Sequence, residues 1–97
     1  MAGLPTERSS GALAVGHSNI SKESSLIITG VDLAGGSAAS SVKVYDGDVQ
    51  DTMVAQAFAV ATDGDHVVCN VKCNNSSNTN VSVVVAGTGA TAVVRYK

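Results

Sequence analysis

Apolar and polar residues alternate along much of the chain. Val67, Cys69, Val71 and Cys73 fall on one side of a period-two run, with Val68, Asn70 and Lys72 on the other. Val81, Val83 and Val85 stand opposite Ser82, Val84 and Ala86, and Val94 and Tyr96 stand opposite Val93, Arg95 and Lys97. Val42-Lys43-Val44-Tyr45 follows the same rule, and residues 26–33 form a nearly continuous apolar run broken by Thr29, Gly30 and Asp32. Period two is the pattern of a half-buried strand, and abundant valine and threonine favour strands through their stiff rotamers. Strands are predicted near residues 12–18, 25–33, 41–46, 52–61, 65–73, 80–86 and 91–97.

Residues 53–61 are rich in alanine, which favours helix by propensity. Yet Val54, Gln56, Phe58 and Val60 alternate with Ala55, Ala57, Ala59 and Ala61. The alternation and the Asp-Gly that follows favour a strand with one all-alanine face. Such a face admits another sheet or another chain at close range, so Ala55, Ala57, Ala59 and Ala61 are the candidate oligomer contacts. Turn residues fill the gaps between runs: Ala34-Gly35-Gly36-Ser37, Asp46-Gly47-Asp48, Asp63-Gly64-Asp65, the polar stretch 74–80, and Gly87-Thr88-Gly89. This rhythm predicts an all-β, antiparallel β-sandwich, jelly-roll or immunoglobulin-like, of about seven short strands. Residues 1–11 lack a period and read as an extended arm, leaving 12–97 as a single domain. Leu4 and Pro5 of the arm are candidate partner contacts.

Composition narrows the job. The chain has 97 residues, 44% hydrophobic, 14% charged and 3% aromatic, with one Phe and no Trp. That is too apolar for disorder and too poor in aromatics for stacking on bases. Six basic residues against eight acidic ones make no phosphate-binding face. No stretch approaches the roughly 18 apolar residues of a membrane helix. The first ten residues, with Pro5, Glu7 and Arg8, have no signal-peptide core, so the expectation is a protein kept in a cytosol or inside a larger particle. Neither nucleic acid nor a membrane is expected as a partner.

Candidate chemistry is sparse. Cys69 and Cys73 lie four steps apart, about 13 Å along a straight strand, beyond the ~7 Å limit for a disulfide, and read as two reduced structural thiols. Asn19, Asn75 and Asn80 each open an N-x-Ser triplet, read as bare polar positions. Gly87-Thr88-Gly89-Ala90-Thr91-Ala92 has the spacing of a dinucleotide loop, but such a loop needs a following helix, and a glycine-bearing hairpin is expected instead. Asp46, Asp48 and Asp51 could converge with Asp63 and Asp65 on a hard cation if both turns sat at one end of the sandwich. Asp-Gly-Asp is also an ordinary turn sequence, and no metal or other cofactor is expected. His17 and His66 have no nucleophile and acid at triad spacing, and His66 and Cys69 belong to opposite strand faces. Catalysis is not expected.

Stability points outward. Alanine, valine and serine bury little area each, and a chain of this size without disulfide or metal gains support from association. Uncharged valine strands also need covered edges.

From Ser24 to Lys97 the chain resembles the small all-β virion proteins of tailed bacteriophages. The residues behind this are Leu26-Ile27-Ile28-Thr29-Gly30-Val31, Val42-Lys43-Val44-Tyr45-Asp46-Gly47, the strand at Val54 to Ala61, and Ala92-Val93-Val94-Arg95-Tyr96-Lys97. The resemblance implies a capsid decoration, or cement, protein. Such a protein is made in the host cytoplasm and carried on the capsid surface. It would form a dimer or trimer and bridge subunits of the major capsid protein. No catalytic residue comes with the resemblance, and the low aromatic content departs from it. The alternative is a receptor- or glycan-binding β-sandwich of a tail or fibre.

Overall fold

The structure, a computed structural model, describes residues 8–21, 26–75 and 80–97. Among them the chain is all-β. In chain order the strands are β1 (Arg8–Ser9), β2 (Leu13–Ala14), β3 (Gly16–Ser21), β4 (Leu26–Ala34), β5 (Ser40–Asp46), β6 (Thr52–Ala59), β7 (Gly64–Cys73), β8 (Asn80–Ala86) and β9 (Thr91–Tyr96). They form two antiparallel sheets. Sheet I runs β1-β9-β4-β7, with β2 also on β9, and sheet II runs β3-β8-β5-β6.

The inner faces follow the valine alternation. Val81, Val83 and Val85 of β8 and Val42 and Val44 of β5 meet Ile28, Val31 and Leu33 of β4 and Val94 of β9 in one core. Val31, Val42, Val44, Val81, Val83 and Val94 are fully buried, each stabilising the fold by about 1.5–3 kcal/mol. The core is therefore made of many small contributions and no large aromatic.

Three local features depart from plain alternation. In β4 the ladder shifts between Ile28 and Gly30 on both sides. This bulge moves the buried positions from Leu26 and Ile28 to Val31 and Leu33, so the sequence there reads as a continuous apolar run. In β6 the register to β5 shifts beside Val44, where Val44 faces Ala55 and Tyr45 faces Met53, leaving Val54 as the extra residue. The predicted strand 12–18 is two strands on different sheets. Leu13 and Ala14 face Ala92 and Thr91 of β9, whereas Gly16 to Ser21 pair with β8. The chain crosses between sheets at Val15-Gly16, and Gly16 has φ 130, a conformation open to a residue without Cβ.

The expected arm 1–11 is partly docked. Arg8 and Ser9 pair with Tyr96 and Arg95. Ser10 donates its N–H to the Val94 carbonyl at 2.9 Å and accepts the Val94 N–H on its hydroxyl at 3.0 Å. The Arg8 guanidinium lies 4.9 Å from the Tyr96 ring centroid.

At one end of the sandwich three loops lock together. Gly35 donates to Asp63 O at 2.7 Å, Thr62 donates to Gly36 O at 2.8 Å, and Ser37 donates to Thr88 O at 3.0 Å. A Cβ on Gly36 would overlap the Thr88 carbonyl and the Gly89 backbone, so only glycine lets these loops approach.

Candidate interaction face

Three of the four alanines expected as oligomer contacts do not lie on an open surface. Ala57 is 1% exposed in the core, and Ala55 and Ala59 are half-buried against it. Ala61 is exposed in the turn after β6. The alanine face thus points into the protein's own interior. The reason is the closeness of the sheets at this edge. There β6 lies beside β7 and over β4, and the Phe58 N–H donates to the Asp65 carboxylate of β7 at 3.3 Å. Small side chains let the molecule's own two layers converge, and no partner is needed to fill that role. Leu4 and Pro5 lie outside the described residues.

With alanine turned inward, Met53 and Phe58 of β6 turn outward. Phe58 is 56% exposed and Met53 42%, and Val60, just past the end of the strand, is 67% exposed. Register extends this surface across sheet II. Met53 neighbours Tyr45, and beyond it Ser82, which is fully buried, separates Tyr45 from Asn19. Gln56 neighbours Lys43, then Val84 and His17, and Phe58 neighbours Ser41 and then Ala86. Lys43 is the one Asp, Glu, Lys or Arg in these rows. A surface with one charge, holding Phe, Met, Tyr and Val, is the kind that marks contact with another macromolecule.

The outer face of sheet I has a different chemistry. Asp32 of β4 stands between His66 of β7 and Val93 of β9. His66 Nδ1 contacts the Asp32 carboxylate, and the Arg95 guanidinium lies 3.4 Å from that carboxylate and 3.3 Å from the His66 ring nitrogen. Arg95 reaches them by lying across Gly30, where a Cβ would collide with its guanidinium. A three-strand ionic cluster therefore covers the centre of this face.

The remaining candidates resolve into structural roles. The turns bearing Asp46 and Asp63 flank β6 at its opposite ends, about 26 Å apart for an eight-residue strand, so their carboxylates do not converge. Asp46 accepts the N–H groups of Asn74 and Asn75 at 3.0 and 3.1 Å. Asp51 accepts the Asp48 N–H at 2.7 Å, and Asp65 accepts the His66 N–H at 2.8 Å. Among the described residues no three His, Cys, Asp or Glu side chains gather as metal ligands, and no cavity opens. His17 lies exposed on the outer face of β3. Cys69 and Cys73 lie on the inner face and are not joined in a disulfide. Burial pushes the Cys69 thiol above its ordinary pKa, and its sulfur donates to Ile28 O at 3.5 Å. Gly87-Thr88-Gly89 turns directly into β9, with no helix after it.

Two features escaped the sequence reading. The Asp32–His66–Arg95 cluster joins positions far apart in the chain, and only strand register brings them together. The exposed face of β6 was visible as a pattern, but its orientation was not. No protein-family model matches the chain, and none of the curated proteins or solved structures compared with it is similar.

Proposed function

We propose that the chain is a non-enzymatic structural subunit of a virion, of the capsid decoration type, which works by packing against other subunits. The observation that carries this reading is the apolar outer face of sheet II, with Met53 and Phe58 of β6 exposed and Val60 exposed just after it. Strand order supports it. We read β1/β2-β9-β4-β7 against β3-β8-β5-β6 as a jelly roll in which β1 and β2 are one broken strand. That architecture recurs in viral shell proteins. Fold alone does not define function, so the exposed face is the firmer support. A protomer of this kind would associate through sheet II, present the oligomer to the major capsid protein and stabilise the assembled lattice by binding it in preference to free subunits.

The test is to purify particles on density gradients from the culture that makes the protein and quantify the chain by peptide mass spectrometry. The expected result is the chain co-migrating with the particles at a fixed ratio to the capsid subunit. A chain found entirely in the soluble fraction overturns the reading.

A further inference from the structure

The sequence Asp-Gly-Asp occurs twice, at residues 46–48 and 63–65, and the fold treats the two copies differently. At an Asp-Gly step the glycine amide nitrogen can approach the aspartate side-chain carbon, because glycine has no Cβ to crowd it. At Asp46 that approach is blocked. Its carboxylate oxygen accepts the Asn74 and Asn75 N–H groups, and the residue is 9% exposed. Gly47 is pinned as well, its carbonyl accepting the Ser82 hydroxyl at 2.6 Å. At Asp63 the carboxylate meets the Gly64 N–H itself, at 2.8 Å, and both residues are exposed. The preceding residue, Thr62, has φ 62, a left-handed conformation costly for a β-branched side chain. Three main-chain bonds, Gly35 N to Asp63 O, Thr62 N to Gly36 O and Asp63 N to Val60 O, close this surface turn, and exposed turns open far more readily than core strands.

We propose that Asp63-Gly64 is a site of spontaneous aspartate isomerisation, from which the fold protects Asp46-Gly47. In the first step the Gly64 nitrogen attacks Asp63 Cγ and loses its proton to water. A carboxyl oxygen leaves as water, and a cyclic imide remains. In the second step water adds to either imide carbonyl. Opening at Cγ restores aspartate, and opening at the main-chain carbonyl gives isoaspartate, with the backbone routed through the side chain. No oxidant or reductant is required, and the final mass equals the original. The product has one extra methylene in the main chain just before β7. The Gly35–Asp63 bond and the pairing of Ala34 with Gly64 cannot then both persist, so the start of β7 detaches from β4.

The test is to hold the full chain at neutral pH and warm temperature for weeks, folded and in urea. Isoaspartate at each site is read by electron-transfer fragmentation and by an isoaspartate-specific carboxyl methyltransferase. In the folded protein we expect isoaspartate at 63 to exceed that at 46 several-fold, and in urea the two sites to become comparable. Asp63→Glu keeps the charge but lengthens the side chain, and should remove the signal at 63. Equal accumulation at both sites in the folded protein, none at 63, or an excess at 63 that survives in urea would each overturn the proposal.

Discussion

The two outer faces of this molecule are built on the same kind of sheet but equipped for different neighbours. Sheet I turns Asp32, His66, Arg95 and Lys72 to solvent, and its centre is tied by an ionic cluster across three strands. The outer face of sheet II offers Phe58, Met53, Tyr45 and Val84, with Lys43 as the lone Lys, Arg, Asp or Glu in the paired rows of that face. Water satisfies the first face at little cost, whereas the second gains free energy from every neighbour that covers it. The edges repeat the contrast. On β7 the outward residues include His66 and Lys72, and the charge of Lys72 discourages strand addition. On β6 there is no charge, and the one guard is the Asp65 carboxylate reaching over to the Phe58 N–H.

The sharpest way to break the comparison is at neighbouring positions of β6. Ala57→Asp places a carboxylate in the core and should cost several kcal/mol, seen as loss of the cooperative thermal transition by circular dichroism. Phe58→Asp, one residue on but outward, should leave the melting temperature within a few degrees. In exchange it should convert the proposed oligomer to monomer in size-exclusion chromatography with light scattering. If Phe58→Asp leaves the oligomer intact, sheet II is not the contact face. On the opposite face, Asp32→Asn removes the centre of a partly exposed ionic cluster and should cost under about 1 kcal/mol. The loss should shrink further in high salt and leave the oligomer unchanged, as measured by urea titration. The smallest effect belongs to Val68, which is 74% exposed on sheet I. Val68→Thr should shift stability by less than about 0.5 kcal/mol and leave association as it was.

The periodicity of the chain is a good guide to which segments are strands, because each valine run sits on a real inner face. Turn residues mark the loops equally well, since Asp-Gly and Gly-Gly meet backbone demands that are local. What is not local was not legible. An alternating segment has two faces, and nothing within β6 says that Ala57 turns inward and Phe58 outward. That depends on how closely β4 and β7 approach. The crossing at Val15-Gly16 was hidden because β3 shows solvent His17, Asn19 and Ser21 and has little apolar alternation to announce it. The two-residue strand Arg8–Ser9 exists because β9 offers it an edge, so its own sequence carries no sign of it.

The order of strands has a consequence for how the molecule is made. Within the sheets, β5 and β6 are the one pair of sequence neighbours that bond to each other, and every other ladder joins distant segments. Topologies dominated by such distant pairings fold slowly. The last strand, β9, is also the innermost partner of β1, β2 and β4. Sheet I therefore cannot close until β9 has left the ribosome, and until then β4 and the β8 valines wait uncovered. A nascent chain of this design depends on β9 to protect the strands made before it from aggregation.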